Sequence, residues 1–242
     1  MMMFTVLDLS FNEIRVIPDL SHLTQLQELY VANNKLTHIT GIAALSTLKK
    51  LDLGANRIRV IEGLDNLYDL EQLWLGKNKI TQIQVCMFAS SRTLPTSMAP
   101  CMGLEALAKL KIISVQSNRL VSIENLDANA NLQEVYLSHN GIAAIQNISH
   151  LSKLLILDLG ANRIPRIPDM ASLQSLEDLW LNDNQVATFD DLVHLTSTTS
   201  LQTLYLERNP LASYVCFDVA DMFSHIAYIS CCHAFKGKVV VY

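Results

Sequence analysis

The 242-residue sequence is poor in glycine, proline and aromatic residues, with eight glycines, six prolines and 7% Phe, Trp and Tyr. Eight scattered glycines build no phosphate-cradling loop, which removes the nucleotide-binding motifs. Charge is also sparse, and its balance of 18 Lys and Arg against 23 Asp and Glu leaves a formal net of −5. No basic run follows a phosphate backbone, so a nucleic-acid partner is not expected. No long hydrophobic run is present either. The longest charge-free stretch near the C-terminus, Met222 to Phe235, contains two histidines and is too short to cross a bilayer, so no membrane anchor is expected. The opening MMMFTVLDLS lacks the positive and apolar regions of a secretory signal, and an intracellular chain is the expectation. Cysteine is confined to Cys86, Cys101, Cys216, Cys231 and Cys232. Inside a cell these stay reduced, and Cys231, Cys232 and His233 lack a second ligand pair at zinc spacing, so neither a metal nor another cofactor is expected.

Apolar residues are abundant, at 50% of the chain, and they recur with a period. The pattern L-x-x-L-x-L-x-x-N-x-L/I/V occurs nine times, with asparagines at Asn12, Asn34, Asn56, Asn78, Asn118, Asn140, Asn162, Asn184 and Asn209. Their spacing is 22 residues apart from one step of 40 and a last step of 25. Within a unit, Leu51 and Leu53 alternate as a strand does, and Ile58, Ile61, Leu64 and Leu67 then follow in steps of three, as in a 3₁₀-like turn. A unit of this kind is a leucine-rich repeat, which buries its apolar face only by stacking on its neighbours. The expected fold is an α/β leucine-rich-repeat solenoid of about nine 22-residue repeats. Its parallel sheet is concave, short helical turns lie on the convex side, and the asparagine amides bond the backbone of the buried turns as a ladder.

The pattern divides the chain into a solenoid over residues 1–211 and an atypical C-terminal capping segment over 212–242. The long step holds an insert over residues 85–102, Val85 to Met102. It is expected to leave from the convex side without breaking the stack, because closing such a loop costs only about 2 to 3 kcal/mol. Strand pairing is therefore expected to run from Leu73 and Leu75 directly to Ile113 and Val115. Met1 to Met3 are candidates to cover the first repeat, and an amphipathic helix over Val215 to Ile226 is a candidate for the last.

Strand side chains alternate, so the residues between and beside the strand leucines face the concave surface. Counted there, the acids Asp8, Glu28, Asp52, Glu134, Asp158, Asp178, Asp183 and Glu207 outnumber the bases Lys50, Lys77 and Arg208. The complementary partner is expected to be basic. The residue between the two strand leucines forms a column of Asp8, Tyr30, Asp52, Trp74, Ser114, Tyr136, Asp158, Trp180 and Tyr205, which holds both tryptophans of the chain. Aromatics on an open sheet lie where interface hot spots do, and this favours a protein-binding stripe. His139, near Tyr136, has no Ser or Cys nucleophile paired with it, and Asp52 and Asp158 are too far apart in the stack for joint acid–base work. The chain is not expected to be an enzyme.

The segments LDLSFNEIRVI, LDLGANRIRVIEGLDNL, LWLGKNKITQI, VQSNRLVSIENL, VYLSHNGIAAI and LYLERNPL together resemble the regulatory subunit 7 family of protein phosphatase 1, over most of residues 4 to 211. The longer last step, made by Thr196 to Ser200, is similar to that family as well. The resemblance implies a non-catalytic subunit whose concave face holds the phosphatase catalytic subunit. It implies contacts at Asp8, Tyr30, Asp52, Trp74, Asp158, Asp178, Trp180 and Tyr205, to which the column itself adds Tyr136. It also implies control of the phosphatase's maturation, activity (inhibition included) or location, in nucleus and cytoplasm. From another class, a structural repeat scaffold of cytoskeleton or cilia is the alternative.

Overall fold

The computed structural model describes residues 4–83, 103–213 and 228–230. Each repeat contributes one three-residue strand, and the strands pair in chain order in a single parallel sheet. They are β1 (Val6–Asp8), β2 (Glu28–Tyr30), β3 (Lys50–Asp52), β4 (Gln72–Trp74), β5 (Ile112–Ser114), β6 (Glu134–Tyr136), β7 (Ile156–Asp158), β8 (Asp178–Trp180) and β9 (Thr203–Tyr205). Equivalent positions face each other throughout, as in Leu51↔Leu73 and Leu157↔Leu179. Across the 40-residue step, β4 and β5 pair directly through Leu73↔Ile113 and Trp74↔Ser114. The insert 85–102, Met1 to Met3 and the candidate helix over Val215 to Ile226 lie outside the described residues.

The central residue of each strand points into the core. Leu29, Leu51, Leu73, Ile113, Val135, Leu157, Leu179 and Leu204 are all fully buried, as are Leu53, Leu75, Leu159 and Leu181 two residues further on. A single continuous cluster runs the length of the stack. The first repeat is the exception, with Phe4, Val6, Phe11 and Val16 exposed and Leu7 only half-buried.

The asparagine ladder forms as its spacing implies. Asn56 Nδ2 donates to Val31 O of the preceding repeat (2.9 Å) and to Leu53 O of its own (3.0 Å), while its Oδ1 accepts from Leu36 N (2.9 Å). The same set recurs at Asn78, Asn140, Asn162 and Asn184. Each amide thus satisfies backbone groups that a sharp bend would otherwise strand in the core. The bend comes from the residue just before each ladder asparagine, which adopts a left-handed conformation. From Phe11 to Arg208 all nine have φ between 53° and 58°, and none is glycine. Such a conformation costs about 1 to 2 kcal/mol for a side chain with a Cβ, a cost set against the asparagine's hydrogen bonds.

The convex side carries the expected short turns. It consists mostly of separate tight turns, such as Leu67 N to Leu64 O (3.0 Å) followed by Leu70 N to Leu67 O (3.0 Å). Apolar residues every third position close turns of this kind without joining them into a helix. Among the described residues, the solenoid's one helix of more than a single turn is the 3₁₀ helix Phe189–Leu195, which belongs to the 25-residue step. A tenth strand, β10 (Tyr228–Ser230), pairs in parallel with β9 through Ile229↔Leu204. The repeat motif did not reveal it, because Ala234 stands where a ladder asparagine would follow.

Candidate functional site

The parallel register places the outward residues in two columns. Asp8, Tyr30, Asp52, Trp74, Ser114, Tyr136, Asp158, Trp180 and Tyr205 occupy successive partner positions in one, and Asp178 lies in the other, between Ile156 and Thr203. The candidate residues therefore share one surface. The two columns also support each other, because residues two apart in a strand lie on the same face. Tyr30 donates its hydroxyl to Glu28 Oε2 (2.6 Å) and Tyr136 donates to Glu134 Oε2 (2.8 Å). These partners were not among the candidates, yet they orient the rings. The Glu28 hydrogen bond, with some burial, holds the Tyr30 phenol above the usual tyrosine range. For Tyr136 burial is the larger cause and the Glu134 hydrogen bond the next. Lys50 Nζ lies 5.1 Å from the centre of the Tyr30 ring, within reach of a cation–π attraction.

The aromatics form two pairs. Trp74 and Tyr136 stack with centroids 6.1 Å apart and planes inclined by 23°, although Ser114 stands between them in the register. A short side chain at Ser114, itself 1% exposed, leaves room for larger neighbours on non-adjacent strands to meet above it. Trp180 and Tyr205 meet edge to face at 5.7 Å. Pairs of this kind contribute about 0.5 to 1.5 kcal/mol beyond area burial, so the surface is organised before any partner arrives.

The aspartates differ from their sequence reading. Asp8, Asp52 and Asp158 each accept the backbone N–H two residues on, from Ser10 (2.8 Å), Gly54 (2.9 Å) and Gly160 (3.0 Å). They close their own turns, and the recurring LDLS and LDLG segments carried that signal. Asp158 is only 5% exposed, because larger residues, Tyr136 and Trp180, flank it in the register. Alternation along a strand assigns the face and not the depth.

A cleft of about 470 Å³ opens beside this column, lined among others by Asp158, Trp180, Tyr205, His139, Asn182 and Arg208. The buried Trp180 Nε1 has no hydrogen-bond partner among the described residues. An unpaired buried donor carries a desolvation penalty until an acceptor reaches it. Arg208 grips Asp183 through Nε and through Nη2 (2.6 Å), and this pairing holds the Asp183 carboxyl at about 2. One of the three concave bases is thus neutralised locally, while Glu134 and Asp178 form no ion pair among the described residues. The described residues contain no group of three or more possible metal ligands and no helix long and apolar enough to cross a membrane.

A leucine-rich-repeat family model matches residues 96–222, more than half of the chain, and a model of two leucine-rich-repeat copies matches residues 5–44 and again 46–85. The chain belongs to the leucine-rich-repeat family. Among solved structures, it is similar to a leucine-rich-repeat protein of Leptospira interrogans, at 26% identity and a TM-score of 0.78, over 93% of this chain and 54% of that one. It therefore spans about half the length of that protein. Internalin C2 from Listeria monocytogenes shares the fold at 23% identity and a TM-score of 0.68, over 81% of this chain and 78% of the other. The functional domain of InlJ from Listeria monocytogenes does so at 20% and 0.62, over 93% and 48%. Among curated proteins, none matches this sequence. Leucine-rich-repeat domains mediate protein–protein binding and are generally non-catalytic, and no enzymatic family is indicated.

Proposed function

We propose that this leucine-rich-repeat protein is a non-catalytic regulatory subunit that binds the protein phosphatase 1 catalytic subunit on its concave face and controls its maturation, activity or location. The observation that carries this reading is the outward column, in which pre-paired aromatics alternate with acids. Trp and Tyr are the side chains that most often anchor interfaces, and buttressed rings lose little freedom on binding. The surrounding Glu28, Glu134 and Asp178 favour a partner whose docking surface is basic. The resemblance of the repeat segments to the regulatory subunit 7 family supplies the partner's identity, and nucleus and cytoplasm are the compartments proposed with it.

The test is direct binding of the full chain to purified phosphatase catalytic subunit, measured by calorimetry alongside phosphatase activity. Binding that Trp180→Ala weakens supports the reading. Absence of binding by the folded chain removes the phosphatase and leaves a repeat scaffold with a different protein partner.

A further inference from the structure

A second charged surface lies outside the concave column. We propose that the flank of the solenoid just past the asparagine ladder docks a short, extended, acidic protein segment, in addition to any partner held by the concave face. Lys35, Arg57, Lys79, Arg119 and Arg163 each follow a ladder asparagine, and Gly141 marks the gap before the last. They lie far apart in sequence, but a backbone ladder stacks them in register. Arg57 N bonds Leu36 O, Lys79 N bonds Ile58 O and Arg119 N bonds Ile80 O, each at 2.8 Å, and Arg163 N bonds Ile142 O at 2.9 Å. A chain of net charge −5 thus carries a basic ridge along one edge.

Beyond Lys35, its paired first member, the ridge is unpaired where other bases of the protein are paired. Lys109 meets Asp69 at 2.6 Å, Lys111 meets Glu71 at 2.7 Å and Lys35 meets Glu13 at 2.7 Å. Among the described residues, Arg57, Lys79, Arg119 and Arg163 have no carboxylate within ion-pair distance. Arg57, Arg119 and Arg163 are exposed, as is Arg59 beside them. Like charges held about 5 Å apart by strand spacing repel one another, and an acidic partner relieves that repulsion.

The form of the ridge selects among anionic partners. It is one residue wide and covers five repeat steps, roughly 24 Å, the length of roughly seven extended residues. No aromatic residue lies within two positions of any ridge base to stack nucleobases. Bulky membrane anchors are missing there too, since the exposed apolar residues that follow the bases are Val60 and Val121. A segment with acids at alternate positions and small apolar residues between them fits both features.

The experiment is fluorescence anisotropy of the full chain with a fluorescein-labelled peptide of alternating Asp and Val, roughly twelve residues long to exceed the ridge. Binding is expected at about 50 mM salt and should weaken tenfold or more at about 300 mM, where screening is stronger. Combined Arg57→Glu, Arg119→Glu and Arg163→Glu should weaken it at least tenfold with an unchanged melting temperature, whereas Trp180→Ala should leave it unaltered. Should the reversal variant melt early, Arg57→Gln with Arg119→Gln should still weaken binding severalfold. No binding at low salt, or binding indifferent to both ridge variants, would overturn the proposal. Tighter, ridge-dependent capture of an oligothymidine or of phosphatidylserine vesicles would also overturn it. The result does not depend on whether the concave face binds a phosphatase.

Discussion

Leu179 and Trp180 are neighbours in β8, yet the first is wholly buried between Leu157 and Leu204 and the second stands half-open on the concave face. The same contrast recurs along the stack except at Ser114 and Asp158, outward residues that are themselves buried. The inward column is almost uniform, Leu with an occasional Ile or Val, because each side chain must fill a slot of fixed size between two copies of itself. The outward column runs through Asp, Tyr, Trp and Ser on an identical backbone, since nothing in the stack dictates its size. Repetition therefore constrains one side of the strand and leaves the other free to carry recognition.

The largest test of this contrast is Leu179→Ala, which leaves a cavity in the continuous core and should cost about 2 to 5 kcal/mol by denaturant unfolding. Asn162→Ala should follow at roughly 2 kcal/mol, because it leaves the buried Ile142 N–H without a partner and removes one of the two amide donors to each of the Leu137 and Leu159 carbonyls. Its circular-dichroism melting curve is the measurement, and a change below about 0.5 kcal/mol would mean that the ladder is not needed for the bend. Trp180→Ala should reverse the ranking. Its stability loss should stay near 1 kcal/mol, mainly the edge contact with Tyr205. Its effect on partner affinity should be about 2 kcal/mol or more. A Trp180 variant that destabilises as strongly as Leu179→Ala would erase the distinction between the two columns.

The smallest effect concerns pH. The Asp183 carboxyl is held at about 2, chiefly by hydrogen bonds from Arg208, against about 3.9 in an unfolded chain. A depressed carboxyl stabilises the fold above the unfolded value, and this contribution is lost as pH falls from about 4 through about 2. The pair is partly open to solvent, so the contribution should stay below about 1 kcal/mol. Replacing Arg208 with Gln should flatten the acid limb of the stability profile in that window and leave neutral-pH binding of the basic ridge unchanged.

Much of this architecture is legible in the chain. The spacing of Asn34, Asn56 and Asn78 marks the bends, and the leucines on either side of Tyr30 or Trp74 mark which residues turn outward. The same reasoning located every outward candidate residue. It failed where the answer lay in a neighbouring repeat or outside the motif. β10 was missed because three residues without a following asparagine carry no repeat signature. Glu28 and Glu134 were counted as charge, and only their distance from the tyrosine hydroxyls identifies them as supports.

The amino-acid sequence by itself determined the stack: a 22-residue period, an apolar inward column and an asparagine at each bend admit one register, since any slip would place charge in the core. Tertiary structure alone decided how residues of different repeats meet. Asp158 is covered by Tyr136 and Trp180, and Trp74 reaches Tyr136 over Ser114, through contacts between residues that are 22 or more positions apart in the chain. The basic ridge has the same origin. A lone Lys or Arg after the ladder asparagine of five repeats is unremarked in a linear reading and becomes a charged edge once parallel strands bring successive repeats to within about 5 Å of each other.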